Sequence, residues 1–408
     1  MRVEQVFITP LTAPDTYGAE IEVSDYIQLG GLSKIKRSID STDYSIGVYR
    51  FSDIRLKARN DLGTFNENDS RSIFPFTRDK GKVRIQVSQI DDTVFPPVIT
   101  ATTQFEGLIN DEGTRQNITN DEITLVVLSW DSVFRTTRVP AGIISTGTTV
   151  KNAIFSILSQ PSITNLLTID IANIEPSLNY VIDTPSELNN LEVREALELL
   201  VKAANSVLIL DGDEVFVQAR ENPSPGSPLE LRGRGEITNN ANIISISEYN
   251  SGKQRQFNSV RLNDGAVTVE DTDSISEYGL RKIEFDFPMV SDAATLTEIG
   301  ENMLTEFRYP KIELKLRVPT EIVQDYDLLD LVSVDAPWLK KPETGDFMPV
   351  LGVAVLGDAV TPLPVILGSL QIDKEIKFKI ISIEDDPKSF VSIIKLRQSG
   401  NLFNDGVF

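Results

Sequence analysis

The sequence predicts a mainly β protein with a few helices, of the α+β class. Short runs that alternate apolar and polar residues recur along the chain, as at Lys82–Ser88. Turn-forming residues separate such runs, as at Asn263–Gly265. Two stretches, 184–205 and 291–307, instead carry apolar residues at helical spacing behind a capping residue. Strands are therefore expected to dominate, with helices as local additions.

The composition is that of a folded, acidic protein. The chain has 408 residues, 40% of them hydrophobic and 24% charged, which suffices for two to four domains with substantial cores. Its net charge is −21, from 60 acidic and 39 basic residues. This balance argues against binding nucleic acid through its phosphates, because such binding requires clustered Lys and Arg. It suits simple solubility, and it equally suits a wall that repels a polyanion.

The chain contains neither cysteine nor histidine. The first absence excludes disulfides, thiol nucleophiles and thiolate metal sites. The second excludes Ser-His-Asp, Cys-His and zinc-hydrolase mechanisms, which use imidazole as base or ligand. Only carboxylate, Lys, Tyr or oxygen-ligated metal chemistry remains.

Residues 1–138 are predicted to form a first β domain. The run Ile54–Ala58 alternates as a strand, and Asn60–Gly63 then turns the chain. The apolar runs 98–109 and 122–130 follow and are separated by polar residues. Several strands separated by turns predict a barrel or a sandwich.

Residues 139–235 are predicted to form a small α/β domain and a linker. Thr149 is expected to cap a helix that ends before Pro161. Thr184–Glu187 has the pattern of a capping box with proline at the first helical position, and Asn205 is a plausible end for the helix behind it.

The end of this domain carries a hairpin signal and a linker signal. Asp211-Gly212 stands between the apolar runs Val207–Leu210 and Val215–Val217, which predicts a hairpin. Asn222–Pro228 holds three prolines and a glycine, so we expect it to be a linker rather than a core element.

Residues 236–398 are predicted to form a second β domain with one helix. Asn263–Gly265 turns a hairpin, and Ser291-Asp292 is expected to cap a helix that Tyr309-Pro310 ends. The helix presents one apolar stripe, formed by Leu296, Ile299, Met303, Leu304 and Phe307.

A strictly alternating strand follows this helix. It is predicted to have two different faces. The apolar face is formed by Ile312, Leu314, Leu316 and Val318, and the charged face by Lys311, Glu313, Lys315 and Arg317. We expect the strands of 258–319 to pair around a pore, with the helix stripe packed against them.

The remaining segments complete the second domain. Leu328–Val334, 378–383 and 390–396 are predicted strands, the last two around an Asp385–Pro387 turn, and 399–408 is a C-terminal tail. The apolar segment 348–372, within an irregular region from about 340, is either a buried hairpin or a protruding loop covered by a partner. Its prolines and glycines argue against a membrane-spanning helix.

Three carboxylate clusters are the candidate catalytic groups, because a glycosidase needs only two carboxylates. They are Asp211–Glu214, Asp325–Asp327 and Glu384–Asp386. Each lies where a turn is expected, and turns recruit Asp for local hydrogen bonds, so the structural interpretation is favoured.

No cofactor or metal motif is present. Asp211–Asp213 lacks the twelve-residue calcium loop pattern. Three glycine-bearing segments, Asn60–Gly63, Arg232–Gly235 and Gly352–Gly357, match neither the dinucleotide fingerprint nor the P-loop. We therefore assign no catalytic, cofactor-binding or metal residues, and the residues at subunit contacts stay unknown.

The order of these features resembles the baseplate or tail-tip hub proteins of tailed bacteriophages. The resemblance spans most of residues 1–398. It rests on Glu22–Tyr26 with Ser52–Phe65, Gln104–Ile109 with Leu125–Asp131, the helix and hairpin of 184–217, Ser276–Gly279 before its helix, and the closing strands Leu328–Asp335, Lys379–Glu384 and 390–396.

The resemblance implies an architecture and a role. It implies two tail-tube-like β-barrel domains with the small α/β domain inserted, and a homotrimer whose pseudo-sixfold ring continues the tail tube. It implies contacts with a distal tail protein, the tape-measure protein and a central spike or fibre. DNA would pass through an acidic lumen without specific binding, and the protein would be a non-enzymatic part of the virion tail, assembled in the host cytoplasm without stable membrane insertion.

Other functions remain open from the sequence. A carboxylate-dependent tail glycosidase would cut peptidoglycan or capsule, and the hub of a phage-derived contractile injection system would share this architecture. A distal-tail adaptor would form a hexamer rather than a trimer.

Overall fold

The computed structural model describes residues 2–39, 47–67, 70–91, 98–219, 229–232, 242–250, 255–323, 326–335, 377–387 and 389–399. Strands predominate in this part of the chain and helices are few, which confirms the predicted fold class. Within the same residues, no helix combines the length and the apolar character needed to cross a membrane.

The strands, in chain order, are β1 (Arg2–Ala13), β2 (Thr16–Tyr17), β3 (Ile21–Glu22), β4 (Ile27–Leu32), β5 (Ile35–Ile39), β6 (Gly47–Phe51), β7 (Ile54–Arg59), β8 (Thr77–Asp91), β9 (Val98–Asn117), β10 (Glu122–Ser129), β11 (Ile174–Glu175), β12 (Ser206–Asp211), β13 (Glu214–Ala219), β14 (Leu229–Arg232), β15 (Ser245–Asn250), β16 (Ser259–Leu262), β17 (Val267–Glu270), β18 (Lys282–Phe285), β19 (Glu313–Pro319), β20 (Leu331–Asp335), β21 (Lys377–Asp386) and β22 (Val391–Gln398). The helices are α1 (Asp131–Thr136), α2 (Val150–Leu158), α3 (Pro161–Thr164), α4 (Val193–Ala203), α5 (Thr272–Tyr278), α6 (Ala293–Phe307) and α7 (Thr320–Val323).

In the described part of the chain, the first sheet has eight strands in the order β2-β1-β8-β9-β10-β7-β4, and β3 pairs with β1 beside that path. Its pairs are antiparallel, with the longest contact between β8 and β9. Ile54, Leu56 and Ala58 of β7 are completely buried, as their alternation predicted. This sheet has its own core, to which β1, β7, β8 and β10 contribute.

The strands β5 and β6 leave this first sheet. β5 pairs antiparallel with β21, and β6 pairs with β5 and runs parallel to β12. Both therefore belong to the larger sheet, although they lie within the predicted first domain, 1–138. Alternation predicts which face of a strand is buried but not which distant strand it pairs with. The division into four segments stays a prediction.

The predicted α/β unit contains α2–α4 and the β12–β13 hairpin. The hairpin has the expected register, with Asp211 opposite Glu214. Asn205 has a φ of 48°, the left-handed conformation expected where a helix ends.

The capping box at Thr184–Glu187 does not form. The Thr184 side chain makes no capping hydrogen bond, and its hydroxyl donates instead to the Pro288 carbonyl at 2.6 Å. Pro185–Leu188 makes a short 3-10 helix, and α4 begins only at Val193. A tertiary contact thus overrides the local signal.

The hairpin at 259–270 belongs to a separate three-stranded sheet. Its order is β17-β16-β18, and β18 runs parallel to β16. The connection from β17 to β18 crosses β16 and contains α5, a short polar helix that the sequence pattern did not predict. The apolar stripe of α6 is buried against this small sheet, whereas β19 lies in the large sheet. The strands of 258–319, which were expected to pair with one another around a pore, instead belong to two different sheets.

Among the described residues, the large sheet has eleven strands, with the path β11-β13-β12-β6-β5-β21-β22-β19-β15, and β20 joins β14 to β21. The predicted closing hairpin is present as β21 and β22. Buried residues of these strands, α6 and the α/β unit form one continuous core.

The predicted charged face of β19 is only partly exposed. Lys311 and Glu313 are both 4% exposed, so this end of the charged face is buried. Glu306 Oε2 lies 2.6 Å from Lys311 Nζ, and Arg255 Nη1 lies 2.7 Å from Glu313 Oε1. Ion pairing allows these charges to be buried.

Three predictions lie outside the described residues. They are the linker Asn222–Pro228, the apolar region 340–372 and, apart from Ser399, the tail 399–408.

Candidate functional site

The first carboxylate cluster, Asp211–Glu214, is the turn of the β12–β13 hairpin. Gly212 has a φ of 57°, which a two-residue hairpin turn requires. Asp213 accepts hydrogen bonds from Thr168 through its carbonyl at 2.7 Å and its carboxylate at 3.1 Å. These interactions build a turn and anchor it, as the sequence analysis favoured.

The second cluster contributes Asp327, while Asp325 lies outside the described residues. The Asp327 carboxylate is 3.2 Å from an Arg37 guanidinium nitrogen, and it accepts from the Leu328 N–H at 2.7 Å. Arg37 also donates to the Tyr326 carbonyl at 3.1 Å. This arginine on β5 thereby fixes the turn that precedes β20.

Burial raises the pKa of Asp327 to about 6. Arg37 opposes this effect, whereas Asp211 and Asp330 raise the pKa further. Two of the predicted clusters thus lie close enough to influence one another. A raised carboxyl pKa is typical of a general acid, but here the group is engaged in a turn and an ion pair.

The third cluster separates into different environments. Glu384 lies 2.9 Å from Lys34 on the exposed side of the sheet. Asp385 is buried and accepts a hydrogen bond from the Ser392 hydroxyl, which also lies 2.9 Å from the Thr320 hydroxyl. The side chains of these neighbours alternate across β21, so they do not act as a pair.

The arrangement of the described carboxylates bears on whether they could hold a metal ion. Across the residues that the structure describes, no group of three or more Asp or Glu side chains is arranged to hold an ion. The Asn60–Gly63 segment is a turn in which the Asn60 side chain accepts from the Phe65 N–H at 3.0 Å. Of the other glycine-bearing segments, Arg232 ends β14 and the rest lies outside the described residues.

Polar contacts join the first sheet, the α/β unit and the small sheet with α6. Asp131, 1% exposed, follows the first sheet directly and lies 2.9 Å from Arg194 of α4 and 2.9 Å from Arg135. A buried carboxylate between two guanidinium groups ties the first sheet to the α/β unit. Sequence reasoning missed it because Asp131 and Arg194 are far apart in the chain.

A second junction joins the α/β unit to the small sheet and α6. The Asp183 carboxylate accepts from the Ser291 and Asp292 N–H groups at 3.0 and 2.9 Å. The Asn205 amide donates to the Asn302 side chain at 2.7 Å. These bonds position α6, whose own N-terminus is capped by Asp292 through the Thr295 N–H at 2.8 Å.

The tip of the β12–β13 hairpin also lies within electrostatic range of the first sheet. Burial raises the pKa of Glu106 on β9, and Asp213 at the hairpin tip raises it further. The described units are thus connected through hydrogen bonds, ion pairs and shared strands.

The described surface also carries large apolar side chains that are at least one-third exposed. They are Leu62, Phe76, Ile171, Val181, Ile244, Ile246, Tyr249, Leu280 and Phe390. Three of the nine, Ile244, Ile246 and Tyr249, fall within six consecutive residues. Exposed apolar groups that cluster in this way are typical of interaction surfaces.

Comparison with known proteins gives a fold but no sequence family. No family model matches the chain, and no curated protein matches it. Three solved structures are similar over nearly the whole of both chains. A tail protein from Neisseria meningitidis has a TM-score of 0.54 and 11% identity, covering 98% of this chain and 96% of its own.

The other two are prophage proteins. The 43 kDa tail protein of prophage MuSo2 from Shewanella oneidensis has a TM-score of 0.51 and 12% identity, with coverage of 97% and 98% of this chain and its own. The prophage tail protein gp18 from Listeria monocytogenes has a TM-score of 0.51 and 10% identity, with coverage of 96% and 94%. The chain has the fold of these tail proteins.

Proposed function

We propose that this chain is a structural hub of a bacteriophage tail tip or baseplate. In this role it forms a homotrimer whose pseudo-sixfold ring continues the tail tube. The ring joins the tube to the distal tail protein, the tape-measure protein and a central spike or fibre. The protein is a part of the virion tail and performs no catalysis.

One observation carries this proposal: the fold matches tail proteins from end to end. The three similar structures are covered over 94% or more of their own length, so the likeness extends beyond a shared barrel or a shared α/β module. Function does not follow from fold alone, and the carboxylates supply the second argument. In the three candidate clusters, Asp213 is engaged in a turn, and Asp327 and Glu384 are engaged in ion pairs.

The net charge of −21 suits a DNA-conducting lumen. DNA carries a dense negative charge, and an acidic wall does not retain it through phosphate contacts. A trimer would triple this charge. A ring structure with a neutral or basic bore would contradict this part of the proposal.

The oligomeric state tests the proposal directly. Native mass determination of the purified chain should give a trimer, and antibody labelling should place the protein at the tail tip of the virion. A hexamer would instead indicate a distal-tail adaptor.

An enzymatic assay tests the competing function. We expect the purified protein to leave peptidoglycan and capsular polysaccharide intact. A monomer that cleared either polymer, and lost the activity on Asp or Glu substitution, would establish a glycosidase and overturn the hub. Imaging of the assembled particle distinguishes a phage tail from a phage-derived injection system.

A further inference from the structure

Two apolar rows cross the large sheet and reach its β15 edge. In the antiparallel registers, Ile380 lies opposite Leu396, which lies opposite Leu314, which lies opposite Tyr249. The neighbouring row runs through Ile383, Ile394, Leu316 and Ile246. Residues directly opposite each other in an antiparallel pair point to the same face. Each row therefore lies on the face that builds the core.

Burial changes abruptly between β19 and β15. The six row residues on β21, β22 and β19 are at most 1% exposed, whereas Ile246 is 36% and Tyr249 55% exposed. Ile244 lies directly before β15, its N–H donates to the Arg317 carbonyl at 2.8 Å, and it is 48% exposed. We call Ile244, Ile246 and Tyr249 the edge strip. It continues the core pattern of the sheet onto the surface.

The single charge on β15 is neutralised by an ion pair with the neighbouring strand β19. β15 contains one ionic residue, Glu248, and Lys315 Nζ lies 3.0 Å from its carboxylate. The Ser247 hydroxyl donates to the Lys315 carbonyl at 3.0 Å. Two copies of a chain with net charge −21 repel each other overall, and an apolar strip beside a paired charge is where they can approach.

We propose that a second copy of this chain packs on the edge strip. The inference rests on the proposed homotrimer and assigns it a contact surface. In a ring of three identical subunits, each interface joins two different surfaces. The edge strip is one of these surfaces, and Tyr249, a large amphipathic side chain, is its anchor.

The test compares Tyr249→Glu with Leu280→Glu. Leu280 is 52% exposed and lies outside the strip, so the two variants add the same charge at equally exposed apolar positions. Trimer dissociation is followed by native mass measurement across a dilution series. We expect Tyr249→Glu to raise the dissociation constant by about tenfold or more, as for an interface anchor. Leu280→Glu should dissociate like the unsubstituted chain.

Tyr249→Ser and Ile246→Ser provide a second pair that removes contact area without adding charge. Circular dichroism confirms that each variant is folded, and both should dissociate more readily. An unsubstituted trimer whose dissociation is unchanged by all three strip substitutions overturns the surface assignment and leaves the hub proposal standing. Equal weakening by Leu280→Glu also overturns the assignment. An unsubstituted chain that stays monomeric overturns the trimer itself.

Discussion

At the scale of single residues, buried ion pairs hold the units together. Asp131 illustrates the rule that a buried charge requires a partner, since it is 1% exposed and lies against Arg135 and Arg194. Such pairs contribute little compared with apolar packing, but removing one partner leaves a buried charge uncompensated.

We therefore predict that Asp131→Ala destabilises the protein by about 3 kcal/mol, the order expected when one partner of a buried pair is lost. The matched control is Glu284→Ala, which breaks the exposed Arg261–Glu284 pair and should cost less than about 1 kcal/mol. Urea unfolding of both variants measures the difference. Equal effects would show that Asp131 does not serve as an internal tie.

The pKa of Asp327 gives a second prediction, on pH. Its folded pKa of about 6 exceeds the ordinary 3.8, so the folded state binds this proton more tightly than the unfolded chain. The stability that Asp327 contributes is therefore highest in acid and falls as pH rises from about 4 through 6.

Asp327→Asn cannot titrate, so it removes this dependence. The free energy of unfolding of the variant, minus that of the unsubstituted protein, should increase from pH 5 to pH 7.5. The reason is that the unsubstituted protein loses stability as the pH rises. Denaturant unfolding at both pH values measures this change. A difference that stays constant, or that moves the other way, would mean that Arg37 dominates and that the pKa is not raised.

At the scale of elements, α6 packs closely on the small sheet. A Cβ built on Gly300 would lie 2.7 Å from Val269 Cγ2 and 3.3 Å from Val269 Cβ. Glycine within a helix is ordinarily unfavourable compared with alanine by about 1 kcal/mol. Here it allows the helix to approach β17.

We predict that Gly300→Ala destabilises the protein by about 1 kcal/mol, because overpacking exceeds the gain in helix propensity. Adding Val269→Ala should restore much of the loss, so the two substitutions are expected to couple in a double-mutant cycle. Thermal or urea unfolding of the four proteins checks this. A stabilised Gly300→Ala would mean that the helix can shift away from the sheet.

Elements with a strong local pattern were predictable. The α6 stripe, its Asp292 cap, the β12–β13 hairpin and the alternation of β7 all follow from nearest-neighbour chemistry and are present. The capping box at Thr184 is absent, and its hydroxyl is oriented instead by donation to the carbonyl of Pro288, far away in sequence. α5 was missed because it is short and polar, and its role as a crossover depends on β18.

The candidate site was predictable only in part. The hairpin role of Asp211–Asp213 could be inferred from turn chemistry. The approach of Asp211 to Asp327 and the burial of Lys311 and Glu313 could not, because both depend on which strands pair across the sheet. No local pattern encodes that pairing.

At the scale of the whole molecule, β5 and β6 join the N-terminal region to the large sheet. β5 lies between β6 and β21, and β6 extends the path to β12. Strands from the start, middle and end of the chain thus share one hydrogen-bonded sheet.

We predict that hydrogen exchange reports this connection. Amides of β5 and of the β21 segment Ser382–Asp385 should be protected to a similar degree, because each strand's hydrogen bonds open with the other's. Amides of β7 in the first sheet are the internal comparison. If β5 matched β7 while β21 exchanged independently, the pairing would not be a cooperative part of the sheet.

The pairing of β5 with β21 has a consequence for biosynthesis. Lys34 and Glu384, which meet beside this pair, stand 350 positions apart, so β5 leaves the ribosome long before its partner is made. Contacts of such high sequence separation form late, and exposed strand edges meanwhile favour aggregation. The large sheet can form completely only when synthesis has reached β21. Chains that terminate earlier therefore cannot fold into a subunit that is competent to assemble.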